Sequence, residues 1–267
     1  MFNRLKNIVS IARVDRQEKK ADRKNRIDPG SAGKFQSVID VLHRDGVAMI
    51  EGFYSQEKCK ELSSEIERLL GSFPQHIDID EANSDHRIWG AERVSPSIAS
   101  FHSDPDLKLI AECYTRTRMI DHMTLAAKLV FQEKNLGSGG GWHRDAAYEQ
   151  QFKSIIYLND VEIDNGPYEY IPATHRLKSV IRSFRFEKNK RFSENDIQSY
   201  MTRDSLTKKT FIAKAGTVIL TDTRGIHRGM PIRSGTRFAL TNYFVAEHRA
   251  TSFHEIFDPL IKFPKTV

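Results

Sequence analysis

Cysteine is nearly absent: only Cys59 and Cys113 occur among 267 residues. Two isolated cysteines make neither a disulfide framework nor a CxxC metal pair, so a reducing, cytoplasmic setting is expected. No apolar run approaches the roughly 20 residues that span a bilayer. No secretory h-region with a small-residue cleavage site stands near the start, which argues against secretion. The first fourteen residues, MFNRLKNIVSIARV, contain no acid. A phosphate-binding loop is missing as well. GSGGG at 137–141 is not followed by Gly-Lys-Ser/Thr, so it reads as a hairpin that positions what comes next.

What is present is uneven. The net charge of +6 is concentrated in two places. Residues 1–34 hold ten Lys/Arg against four acids, and residues 176–214 hold eleven against four, which leaves the remainder acidic. Clustered positive charge points to an anionic partner, or else to a solvated tail and a solvated loop. In the first fourteen residues Phe2, Leu5, Ile8, Val9 and Ala12 share a helical face. Such a face suits a membrane-surface helix, a targeting segment or a helix packed on its own domain. Residues 15–34 read as a mobile, charged linker ending at a Pro-Gly turn.

Beyond residue 34 a single domain is expected over 35–267. Its first part, 35–122, reads as mainly helical. Phe35, Val38, Ile39 and Leu42 suit a short helix broken by Gly46, and Val47–Ile50 suits a strand. Ser55 caps a helix whose inner face is Cys59, Leu62, Ile66 and Leu69, and Asp104-Pro105 starts another. From about 123 to 250 the texture becomes short β-rich runs separated by tight turns. The fold class predicted is mainly β with flanking helices, a sandwich or jelly roll rather than a parallel sheet.

One constellation carries chemistry. His143 and Asp145 are two apart, so in a strand they face the same way. His227 ends the strand-like run GTVILTDTRGIH. Two imidazoles and one carboxylate form the facial set associated with Fe(II) oxygenases, which leaves coordination positions open for a 2-oxo acid and dioxygen. An HxD alone is weak, because a surface pair and a core histidine would look the same. The order around it adds weight. Arg237 follows His227 by ten positions and shares a strand face with Ala239, Thr241 and Tyr243. A guanidinium there suits bidentate capture of a distal carboxylate.

Four stretches, RDGVAMIEGFYSQEKCKEL (44–62), GWHRDAAYEQ (141–150), YLNDVEIDNGPYEYIPATHR (157–176) and GIHRGMPIRSGTRFALTNYF (225–244), resemble the phytanoyl-CoA dioxygenase family. The resemblance covers about residues 36–250. It implies a double-stranded β-helix, cupin-like, faced by N-terminal helices. It implies Fe(II) on His143, Asp145 and His227, with 2-oxoglutarate on Arg237 and dioxygen as the third reactant. The carboxylate that Asp145 supplies, which halogenating relatives lack, favours hydroxylation of an unactivated carbon, with desaturation and ring closure also open. The His-to-Arg interval is one residue short, which keeps Arg233 as a second choice. Ala173-Thr174 stands where Gly-Ser is usual, in a turn expected near the mouth of the site.

Further expectations follow from pattern. Along Thr124–Lys134, Ala126, Lys128, Val130 and Gln132 are assigned to the barrel interior, which puts Lys128 and Gln132 beside the cosubstrate. An edge position for Lys128 is the competing view. Tyr157 is either a hydrogen-bonding neighbour of the site or a core residue. The insertion 176–214, with Arg182, Arg185, Lys188, Lys190 and Arg191 among Phe184, Phe186 and Phe192, is read as a lid for a small anionic or carrier-linked substrate. Nucleic acid ranks lower. Two other classes stay open: a differently reacting cupin-like metal enzyme and a non-catalytic metal-binding protein.

Overall fold

The computed structural model describes residues 2–145, 150–183 and 191–264, without the side chains of 2–7, 121 and 122. Ser55 accepts from the Lys58 amide at 3.2 Å and starts α3 (Gln56–Ser72), with Cys59, Leu62, Ile66 and Leu69 buried as the period requires. Before it come α1 (Phe2–Lys24), α2 (Gln36–Asp45) and β1 (Val47–Ile50). Gly46 ends α2 with a left-handed φ of 81°, a conformation glycine takes without a Cβ clash. Two short strands follow, β2 (Asp78–Ile79) and β3 (Asp85–Trp89), then α4 (Pro96–His102) and α5 (Pro105–Thr115), the latter capped by Asp104. Strands β4 (Met119–Val130), β5 (Phe152–Tyr157) and β6 (Tyr168–Tyr170) precede α6 (Leu177–Ser183) and α7 (Glu194–Asp204). The chain finishes with β7 (Lys209–Phe211), β8 (Val218–Asp222), β9 (His227–Gly229), β10 (Thr236–Ala246) and α8 (Ala250–Phe257).

Seven strands form one antiparallel sheet in the order β1-β8-β5-β10-β4-β3-β2, and three form a second in the order β7-β6-β9. His143 adds a further rung to β9 through reciprocal amide–carbonyl bonds with His227. The two opposed sheets make the expected double-stranded β-helix. Helices α2 to α5 cover the outer face of the large sheet, packing Leu42, Leu62, Phe101 and Ile110 on Ala126, Ile156, Leu220 and Leu240. The inner face looks across to the small sheet.

The structure differs from expectation in three places. The part read as mainly helical also carries β2 and β3, which extend the large sheet. Residues 15–24, read as a linker, are helical. There α1 docks through buried Ile11 against Val180, through Asp15 on Arg224 (2.8 Å), and through Glu18 and Asp22 on Arg249 (both 2.7 Å). Of the face named from the sequence, Val9 and Ala12 are exposed rather than docked.

Candidate active site

The glycine-rich hairpin delivers His143. Gly139 has a φ of +85°, and a Cβ there would lie 2.5 Å from the His143 ring, so only glycine lets the loop pass this close. Strand β9 delivers His227, and the ladder rung between the two residues brings their rings to 4.4 Å between centroids. Asp145, two positions beyond His143, is held by its amide on the Thr223 carbonyl.

The donor set fits a divalent metal. His143 Nδ1 lies 2.7 Å from the Gly141 carbonyl and His227 Nδ1 lies 2.9 Å from the Gly225 carbonyl. A carbonyl only accepts, so each Nδ1 carries the proton and each Nε2 keeps its lone pair. Those Nε2 atoms face Asp145, at 3.6 Å for His143 and 3.9 Å for His227. One ligand atom from each of the three lies within 4.8 Å of the others, a grouping that could hold one ion. Burial and the neighbouring His143 push His227 down to about 3, so its imidazole stays neutral at physiological pH. Burial pushes the Asp145 carboxyl up, but Lys153 and the imidazoles outweigh it and hold the group well below the usual carboxylate range.

Arg144, between His143 and Asp145, points the other way. It is fully buried and donates to the carbonyls of Thr174 and Arg224 and to Ser183, fixing the HxD segment to α6 and the turn before it.

The group formed by His143, Asp145 and His227 opens into a cavity of about 370 Å³ between the sheets. Arg237 projects into it from β10 alongside Ala239, Thr241 and Tyr243, as the strand period predicts. Its guanidinium is buried and donates to the Gly166 carbonyl of the DNGP turn. Burial pulls Arg237 below the ordinary guanidinium range, against the opposing influence of Tyr157 and Asp85. Arg233 lies on an exposed turn 3.6 Å from Asp164 and does not line the cavity, so the second choice falls away. Tyr157 lines the cavity, donating to the Phe211 carbonyl and accepting from the Tyr168 amide.

Lys128 and Gln132 are not at the site. On β4 it is Leu125 and Ala127 that face the cavity, while Ala126 packs on the helices. Lys128 therefore points outward and pairs with Glu67 of α3 at 2.6 Å. Gln132 lies beyond the strand, its carbonyl accepting from Asn135. The Ala173-Thr174 turn does not line the cavity either: Thr174 is buried and accepts from the Ile226 amide at 2.8 Å.

The described basic residues of 176–214 are largely committed elsewhere. Arg182 and Arg203 face Asp204, Lys208 meets Glu169, Lys209 meets Asp45 and Lys214 meets Asp160. Arg191 pins the carbonyls of Gly139 and Gly140 at 2.7 Å each, and Phe192 is buried beside Trp142. Phe184, Arg185, Phe186, Lys188 and Lys190 lie outside the described residues.

Several cavity residues were not singled out from the sequence, four of them carrying charge or a large ring. Lys153 of β5 reaches Asp145 at 2.7 Å and sits 3.9 Å from the centre of the Tyr243 ring. Arg87 and Trp89 come from β3, and Phe257 from α8. For β3 the signal was inverted: the buried residue facing the helices is the single Ile88, while Arg and Trp face inward.

Comparison with known proteins agrees with this geometry. The large-sheet and small-sheet arrangement is shared with the epimerase SnoN from nogalamycin biosynthesis, at TM-score 0.63 and 15% identity over 81% of this chain and 84% of that one. HygX from Streptomyces hygroscopicus, solved with nickel and 2-oxoglutarate bound, gives TM-score 0.56 at 14% identity over 79% and 87%. EctD from S. alaskensis gives 0.59 at 19% identity over 82% and 78%. No curated protein matches. The family model for Phytanoyl-CoA dioxygenase (PhyH) matches residues 42–239, a span that contains the three converging side chains and the cavity arginine. The chain therefore belongs to the phytanoyl-CoA dioxygenase family of Fe(II)/2-oxoglutarate-dependent enzymes.

Proposed function

We propose that His143, Asp145 and His227 hold Fe(II), that Arg237 takes the far carboxylate of 2-oxoglutarate, and that the protein hydroxylates an unactivated carbon of a small anionic substrate. The observation that carries the reading is the convergence of two Nε2 lone pairs and one carboxylate at the end of a cavity whose wall holds a buried arginine. Bound there, Fe(II) supplies chemistry no side chain has, coupling decarboxylation of the keto acid by dioxygen to oxidation of a C–H bond.

The side chains do the rest. Gly141 and Gly225 carbonyls keep both imidazoles in the ligating tautomer. Arg237 offers a fork that sets the cosubstrate's distance and tilt. Trp89, Tyr243, Ile256 and Phe257 wall the cavity with apolar surface and limit water. The test is anaerobic addition of Fe(II) and 2-oxoglutarate. A weak visible charge-transfer band should form, and air should then convert 2-oxoglutarate to succinate. Iron and 2-oxoglutarate binding without turnover under any substrate would favour the non-catalytic reading.

Residues 1–14 remain a proposed membrane-surface contact, because Val9 and Ala12 face away from the domain. No described helix is long and apolar enough to cross a membrane. Flotation with anionic liposomes should weaken in Val9→Asp; unchanged flotation removes the idea.

A further inference from the structure

A lysine buried on the cavity face of a strand needs a return for its desolvation. Lys153 shares that face with Ile155 and Tyr157, where an apolar side chain would fill the space. Its ammonium meets Asp145 on one side and the Tyr243 ring on another. An ammonium has three protons, so beyond its hydrogen bonds to Asp145 and Tyr243 Lys153 keeps one.

Charge bookkeeping sharpens the point. Among the described cavity residues Arg87, Lys153 and Arg237 are cationic and Asp145 is anionic. Arg87 is matched by Asp85, at 2.9 Å from its Nε. Fe(II) would be balanced by Asp145 and the chelating carboxylate of 2-oxoglutarate. On the reading above the far carboxylate would balance Arg237. One positive charge is then left over, that of Lys153, beside Asp145.

Resting on that reading, we propose that Lys153 is a specificity residue: it docks one singly charged oxyanion of the substrate, a carboxylate or sulfate, next to the metal. The rest of the molecule then lies against Ile155, Trp89, Tyr243 and Phe257, which suits a short hydrocarbon or ring. This places anion recognition in the cavity wall rather than in the basic insertion, whose described cations are largely paired.

The test uses the anaerobic Fe(II)·2-oxoglutarate protein and its charge-transfer band, titrated with hexanoate, hexyl sulfate, hexanamide and hexylamine. The acid or the sulfate should perturb the band at concentrations about tenfold lower than the amide or amine, since a charge-assisted hydrogen bond exceeds a neutral one by about that factor. Whichever of the two acts at lower concentration names the oxyanion. Lys153→Met should erase the preference and Lys153→Arg should keep it. Equal responses to acid, amide and amine would overturn the proposal, as would a preference that survives in Lys153→Met. A wild-type band that is lost in Lys153→Met would also overturn it, by assigning the lysine to metal or cosubstrate. Absence of any band in the wild type would instead overturn the oxygenase reading.

Discussion

Replacing Arg237 by methionine should raise the melting temperature of the metal-free protein while destroying 2-oxoglutarate binding. Arg237 is 7% exposed, and its bond within the described residues is to a neutral carbonyl, that of Gly166. A buried charge without an opposite partner costs about 3 kcal/mol. Losing the bond to Gly166 returns about 1 kcal/mol of that. The net gain of about 2 kcal/mol corresponds to roughly 4–8 °C for a domain of this size. Cosubstrate affinity should move the other way. Removing one member of a buried carboxylate–guanidinium pair costs about 3 kcal/mol, more than a hundredfold in Kd. Calorimetry of the metal-free protein measures the first effect, and anaerobic titration of the charge-transfer band measures the second. A variant that melts below wild type would show that the charge is compensated. A Kd within about threefold of wild type would put the anchor elsewhere.

Other perturbations follow from the same geometry. Asp145→Ala should abolish the charge-transfer band while leaving the fold intact by circular dichroism, because two imidazoles alone hold the ion poorly. Gly139→Ala places a methyl 2.5 Å from the His143 ring on a backbone of positive φ, and should weaken Fe(II) binding by about tenfold, read by metal titration. Ile11→Ala should cost about 2–4 kcal/mol in urea unfolding and expose α1 to protease, because Ile11 is fully buried. His175 is pushed down to about 4, mainly by burial, so the folded protein keeps it neutral while the unfolded chain protonates it near pH 6.5. Its contribution to stability is therefore complete above pH 6.5 and lost as pH falls toward 4; His175→Asn should flatten that part of the denaturation profile.

Local chemistry made much of the molecule legible. Ser55 and Asp104 announced helix starts because a short polar side chain before an apolar period satisfies free amides. Val47–Ile50 and the β10 face were legible because strand parity is strict. On β4 parity misled. Leu125, Ala127, Leu129 and Phe131 make the more apolar face and so read as the one packed on the helices, which left Lys128 and Gln132 for the interior; in the fold Ala126 packs on the helices instead. The true partner of Lys128, Glu67, lies 61 positions earlier and has no local signature. Lys153 was overlooked for the converse reason. A lysine in a strand ordinarily means solvent, and only the fold brings it to Asp145. The basic insertion looked like a reservoir of free charge because its acids, Asp45, Asp160 and Glu169, come from other elements.

The rung shared by His143 and His227 has a kinetic consequence. Both imidazoles hang from one pair of reciprocal backbone bonds, so their separation persists when the ion departs. Asp145 is held in the same way, its Oδ1 facing His143 at 3.6 Å while its Oδ2 stays on the Lys153 ammonium. Exchange of an ion at this centre should therefore need no rearrangement of the histidines.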